Sequence, residues 1–415
     1  RTQAPITRAW LDVMGVLFVD DTDLYIMDEC IKSGYDLWDE TQEATTAWGK
    51  LLIATGGALK PEKCFYYLID YEWQDDGTWE YTTMVDLPPI TVPLPDGTAA
   101  PIDQLSAEVA KKTLGIWTNP AGCSITQLGA LYKSLKTWTN RLSAGKLPAK
   151  WAWVSHNLQL WPKLRYGLGT NSSPVATLAD AEEPGGALRK VYRKMLPFLG
   201  VNRNIKSEWR HLPHTFGGIG LKRLLSEVVI ARINLFIQHY KTLSTLGAKL
   251  SHSLEALQLE LGTNKCPLQL PFKPLGPIAT DCWCKSFWEG LDSYGFKMEM
   301  DYEEIPLPRQ DDELLIDIFL STDPDEDDLR SLQRCRQVWE GLFLSDLVCA
   351  NGRLIDRKFL SPPPADHESL SSYEFAEERP TASDWAFWAE FWGRYTLPGR
   401  YLCTPLGVWI APTHR

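Results

Sequence analysis

The chain has 415 residues, too many for one ordinary core and enough for two or three domains. Hydrophobic residues make up 44% and charged residues 23%, which excludes disordered, collagen-like and coiled-coil chains. The net charge of −11 taken alone argues against a nucleic-acid partner, but it conceals three blocks. Residues 1–132 carry 8 basic and 20 acidic side chains, residues 133–250 carry 19 and 5, and residues 251–415 carry 15 and 28.

No apolar run approaches the roughly eighteen residues that span a bilayer, and no basic-then-apolar leader opens the chain. An intracellular protein, cytoplasmic or nuclear and with no membrane partner, is therefore expected. The chain opens on Arg1, as expected of a processed chain or a piece of a longer one. The nine cysteines are odd in number and scattered, so they make no disulfide framework. Cys282 and Cys284 are the only close pair, without the second pair and histidine of a zinc site. Eighteen tryptophans imply large aromatic cores or stacking surfaces.

In chain order, the apolar run from Val13 to Val19 reads as a buried strand that ends at Asp20 and Asp21. Leu24 to Met27 reads as its partner, with the two carboxylates in the connecting turn. Residues 40–56 read as a helix with Ala44, Ala47, Trp48, Leu51 and Leu52 near one face, stopped by Gly56-Gly57. Tyr71 to Tyr81 reads as a hairpin turning at Asp76-Gly77. The proline-rich residues 86–101 read as a surface loop, because proline removes donors that a sheet needs. Residues 105–118 hold a short helix or strand that ends in Thr113-Leu114-Gly115-Ile116-Trp117. Beyond them Leu128, Leu131, Leu135, Trp138 and Leu142 step at three and four, the mark of an amphipathic helix. Leu188 to Leu199 and Leu221 to Leu250 continue that style, and residues 169–186 read as a loop between. In the last third, 267–277 reads as a proline-rich hinge, and the acidic run 323–328 as the solvated start of a helix over 325–340.

Two adjacent carboxylates closing an apolar strand are costly unless solvent or a metal meets them. In a tight turn their oxygens can converge on hard divalent cations, and two such ions suit nucleotidyl transfer. A hairpin turn with two solvated aspartates is the plain alternative. Asp21-Thr22-Asp23 also has the spacing of a phosphohydrolase box of the haloacid dehalogenase class, but Leu24-Tyr25 stands where Thr or Val is wanted. The basic middle segment, with Trp138, Trp151, Trp153, Trp161 and Tyr166 interleaved, suits a phosphate backbone as well as it suits solvated helix faces. His211 and His214 are three apart around Pro213, which fits structural or backbone contacts better than a metal.

The order of motifs resembles the palm of a reverse transcriptase of the non-LTR retrotransposon type. Phe18-Val19-Asp20-Asp21 resembles its aromatic-x-Asp-Asp box, and Gly57-Ala58-Leu59-Lys60-Pro61-Glu62-Lys63 the motif that follows. Leu114-Gly115 resembles the primer grip, and the stretch from His211 to Leu221 the Leu-Pro and Gly-Gly-x-Gly run after the thumb. The resemblance covers residues 1–250.

It implies an α+β fold: a partial right-hand polymerase palm of antiparallel hairpins plus helices over 1–118, then a helical, basic, thumb-like region over 119–250. A mostly helical acidic region over 251–415 would follow. It also implies RNA-directed DNA polymerisation, with Asp20 and Asp21 holding Mg²⁺ or Mn²⁺ and Lys63 approaching the triphosphate. Lys60 is the weaker choice for that role. The partners would be an RNA template, a DNA primer and deoxynucleoside triphosphates. The primer would lie by Leu114 and Gly115, and the duplex against Lys133, Lys136, Arg141, Lys163 and Arg165. Two departures stand out: no upstream strand supplies a third carboxylate, and the glycine-bearing nucleotide-selecting motif is missing. This chain by itself is therefore expected to bind Mg²⁺ poorly and to polymerise little. The competing expectation is a non-enzymatic retroelement remnant, or a nucleic-acid-binding or assembly module with an inert Asp-Asp turn.

Overall fold

The computed structural model describes residues 2–11, 15–18, 21–26, 34–74, 77–82, 87–145, 147–242, 244–302, 304–364 and 378–410. For Thr2, Val16, Leu17, Phe18 and Asp21 it describes the backbone alone. The fold is mixed α+β, with small two-stranded sheets followed by a large helical region. Two compact units share the chain. The first comprises Arg1–Thr2, Trp10–Glu72 and Tyr81–Gln238, and the second Gln3–Ala9, Trp73–Glu80 and His239–Arg415. Among the described residues no helix is long and apolar enough to cross a membrane.

In the first unit Gly15–Phe18 pairs antiparallel with Asp21–Leu24. The partner strand begins at Asp21 rather than Leu24, because the connection takes only the two residues between Phe18 and Asp21. The helix Gly34–Ala54 starts earlier than its apolar pattern suggests, and it ends as Gly56 turns to φ 85°. Its buried side is only in part the apolar face read from sequence: Ala44, Trp48 and Leu52 are half-buried, but Leu51 is 55% exposed. The contact face joins Leu37 and Trp38, which pack on a small core, to polar and small residues. The Gln42 amide accepts from Thr91 N–H at 2.8 Å and donates to the Thr91 carbonyl at 3.0 Å. A Cβ on Gly49 would lie 2.6 Å from Pro93 Cγ, so only glycine permits that approach of helix to strand.

Within 86–101, the described residues 87–101 are not a loop. Thr91–Pro93 pairs antiparallel with Ala99–Pro101, and Ile90 and Val92 are buried with Tyr66, Leu68 and Ile102 in a small core. The prolines sit where the two-stranded ladder ends, so they remove no donor it needs. Full burial of Ile90 or Val92 is worth about 1.5–3 kcal/mol, which outweighs the turn preference of the prolines nearby. Lys111–Thr113 and Ile116–Thr118 form another antiparallel hairpin, which settles the helix-or-strand choice there.

The helical part of this unit is built around Ile125–Ala144 and Ala187–Phe198. Leu128, Leu131, Leu135 and Leu142 meet Leu188, Val191, Tyr192, Met195 and Leu196 in the larger core. Residues 169–186 hold a short helix, Val175–Asp180, whose Val175 and Leu178 are buried in place of a loop. Between Ala149–Ser155 and Trp161–Arg165 the backbone widens into a π-turn at His156–Leu160. Pro162 follows, and its missing N–H could not have served a regular α-turn there. The single helix expected over 221–250 is two, Leu224–His239 and Thr245–Leu261.

The second unit is mostly helical. Thr245–Leu261 ends at Gly262, φ 75°, and the Arg336 guanidinium donates to the carbonyls of Leu259 at 3.0 Å and Glu260 at 2.6 Å. A buried cation at a helix C-terminus meets both the orphan carbonyls and the negative end of the dipole. The 267–277 stretch is not an exposed hinge: Leu268 and Leu275 are buried, and Trp288 Nε1 donates to the Leu270 carbonyl at 2.8 Å. Glu326–Val338 forms as its acidic start suggests, with the Asp325 carboxylate accepting from Asp328 N–H at 2.9 Å. Its neighbour Ala382–Tyr395 opens on a capping box between Thr381 and Asp384. Phe319, Trp388, Phe391 and Trp392 meet edge to face beneath them.

Candidate nucleic-acid interface

Asp20 lies outside the described residues, and Asp21 contributes a strand backbone whose last register pair is with Phe18. Burial first, and then the Asp23 carboxylate, push the phenols of Tyr25 and Tyr67 above their ordinary value. Among the described residues no group of three His, Cys, Asp or Glu is set to hold a metal ion. Asp23 is the one carboxylate whose side chain is described in this hairpin. No metal set is therefore built from these atoms, and no chemical step is derived through one.

Lys63 ends the short 3-10 helix Pro61–Lys63 and stands exposed before the strand Phe65–Tyr67. Lys60 is turned toward Glu62 at 3.2 Å. Backbone hydrogen bonding and then the bond from Lys60 hold the Glu62 carboxyl below its usual range. Both partners are exposed, so the pair contributes little to stability.

The Leu114–Gly115 turn is the best-defined feature. Both residues have positive φ, 49° and 89°, as a two-residue hairpin with matched twist requires. Leucine tolerates that conformation poorly, so something must hold it. The Tyr166 hydroxyl donates to the Leu114 carbonyl at 2.5 Å, and a Cβ on Gly115 would stand 3.0 Å from Tyr166 Cε1. On the next residue, a Cβ on Gly167 would lie 2.8 Å from Ile116 Cγ1. A third tie comes from Gln127, whose Oε1 accepts from Trp117 N–H at 3.0 Å. The hairpin tip is thus fastened to the helical core at both ends, while the Tyr166 residue stays 56% exposed.

The strand that follows this tip, Ile116–Thr118, packs on the helix Ile125–Ala144. Its leucines at 128, 131, 135 and 142 are buried, and Lys133, Lys136 and Arg141 are exposed. At 3.6 residues per turn those two sets fall on opposite sides. Lys163 and Arg165 are exposed on the short helix that carries Tyr166 at its end. Arg165 is 3.8 Å from Glu227, which also holds Lys222 at 3.2 Å, so its charge is partly met within the protein. Of the five basic residues singled out from sequence, Lys133, Lys136 and Arg141 share one helix face, and Lys163 and Arg165 share another helix. What they offer is sequence-independent attraction for phosphates.

Of the structuring groups beneath this surface, His156 and Glu182 carried no sequence signal, whereas His211 and His214 were expected to make structural or backbone contacts. His156 is 1% exposed and ringed by Trp138, Trp153, Trp161 and Tyr192. Trp161 Nε1 donates to His156 Nε2 at 2.9 Å, so the ring proton belongs on Nδ1. Burial lowers its pKa to about 4. His211 and His214 serve the backbone: their Nδ1 atoms lie 2.8 Å from the Leu221 carbonyl and 3.1 Å from the Gly218 carbonyl. Glu182, 3.8 Å from His211 Nε2, is raised by burial, and its Oε1 accepts from Leu224 N–H at 2.5 Å. Tyr166 was visible only as one aromatic among basic residues; its part in holding Leu114 requires the fold. Comparison with protein-family models, with curated proteins and with solved structures gives no match.

Proposed function

We propose that the chain is part of an RNA-directed DNA polymerase of the reverse-transcriptase type, and that its described residues hold the primer–template duplex. The observation that supports this most is the Leu114–Gly115 turn, held in a left-handed conformation by Tyr166 in the same unit as a helix that exposes Lys133, Lys136 and Arg141. A tight turn of fixed shape can set a nucleic-acid strand to within the distances that phosphoryl transfer demands. The exposed lysines and arginines supply the phosphate attraction that brings the strand there. In this reading the 1–118 region is palm-like and the helices after it thumb-like. In the intact protein Asp20 and Asp21 would hold Mg²⁺ or Mn²⁺, ions that would activate the primer hydroxyl and stabilise the pyrophosphate. Lys63 would meet the incoming deoxynucleoside triphosphate.

The test is where the primer end lies. Leu114 is 40% exposed and takes a photo-crosslinking side chain without disturbing the core. With an RNA template annealed to a DNA primer, crosslinks are expected on the primer, within a few nucleotides of its 3′-end. Crosslinks spread evenly along both strands would instead fit a non-enzymatic nucleic-acid-binding module.

A further inference from the structure

Residues 186–223 carry nine lysines and arginines against one carboxylate, Glu208. Within that stretch the chain from Trp209 to Leu221 closes on itself. Ile219 N–H donates to the Trp209 carbonyl at 3.0 Å, Leu221 N–H to Arg210 at 3.0 Å and Gly220 N–H to Leu212 at 2.9 Å. The rings of His211 and His214 add their bonds to Leu221 and Gly218. Gly217 has φ 80°, and a Cβ on Gly218 would lie 2.0 Å from the Leu212 carbonyl oxygen, so the loop has little freedom to rearrange.

This over-determined loop leaves Trp209 51% and Phe216 71% exposed. One exposed ring is ordinary. Two on one fixed loop, in a segment with nine cations and one anion, match an unpaired nucleic-acid strand, whose bases stack on aromatic faces while its phosphates meet lysine and arginine. Lys206 and Arg223, which flank the loop in sequence, and Lys190, Arg193, Lys194 and Arg203 before it are all exposed.

We infer that the Trp209–Leu221 loop binds a single-stranded nucleic acid by stacking on Trp209 and Phe216. Its residues are distinct from Lys133, Lys136 and Arg141, which serve the duplex in the reading above. The inference rests on the nucleic-acid-binding reading above and adds to it an unpaired strand and its own residues.

The experiment compares two labelled probes by fluorescence anisotropy. One is a single-stranded oligouridine of about twelve nucleotides, and the other a blunt RNA–DNA hybrid. Trp209→Ala and Phe216→Ala should each weaken the single strand about tenfold and leave the hybrid unchanged. Trp209→Phe should restore most of the loss, because a ring remains. Lys133→Glu with Lys136→Glu and Arg141→Glu should do the reverse, weakening the hybrid and sparing the single strand. Single-strand binding unchanged in both alanine variants overturns the inference while the duplex reading stands. Failure of the unaltered protein to bind either probe overturns both. Alanine variants that keep the single strand but turn a dimer into a monomer in sedimentation also overturn it, and assign the rings to contact between copies.

Discussion

Tyr166 shows how one side chain can set the geometry of a turn. Its hydroxyl satisfies the Leu114 carbonyl and its ring lies against Gly115, so a left-handed leucine persists where isolated sequence would not keep it. Such roles are not legible in sequence: tyrosine among lysines reads equally as a stacking ring or a helix residue. His156 makes a measurable case of the same kind. Its pKa falls from an ordinary 6.5 to about 4 because burial penalises the imidazolium. The unfolded chain therefore binds the proton first as pH falls, and stability is lost between pH 6.5 and 4. Between pH 7 and 5 the unaltered protein should lose about 2 kcal/mol more in urea unfolding than His156→Gln does. His211, also lowered to about 4 by burial, adds a loss of the same sign in both proteins, so the difference isolates His156. Equal pH dependence in the two would exclude this part of the account.

At the scale of elements, amphipathic helices were legible and polar contacts were not. The leucine spacing marks Ile125–Ala144 and its buried side correctly. For Gly34–Ala54 the same method favours Leu51, whereas the helix meets its strand through Gln42 and Gly49, which an apolar count cannot see. Residues 86–101 misled because the prolines were weighed before Ile90 and Val92. The break between Leu224–His239 and Thr245–Leu261 is written more quietly. Lys241 takes φ 58°, and Ser244 Oγ accepts from Gly247 N–H at 3.1 Å to start the second helix. Ser244→Ala should cost about 1 kcal/mol, read as a lower urea midpoint with an unchanged m value. A neutral result would mean that packing alone positions that helix start.

Over the whole chain the segregation of charge was the most legible feature, and composition alone hid it. Two acidic blocks with net charges of −12 and −13 flank residues 133–250, which carry 19 basic against 5 acidic side chains, and the chain's −11 is what remains. The helices of that block turn most of their leucines inward and, apart from the buried Arg210 and Arg232, most of their lysines and arginines toward solvent, so most of the basic excess becomes surface. At physiological salt, charges more than about 8 Å apart are largely screened, so a local basic face can act despite a negative chain. The acidic hairpin was legible only as a motif, since Asp20 lies outside the described residues. The most direct test of the central claim is a salt titration of hybrid binding. The unaltered protein should bind an RNA–DNA hybrid with an affinity that falls steeply and log-linearly with salt. Lys133→Glu with Lys136→Glu and Arg141→Glu should reduce the slope by about three. A flat titration, or a slope that the triple variant leaves untouched, would contradict the claim that this face holds nucleic acid.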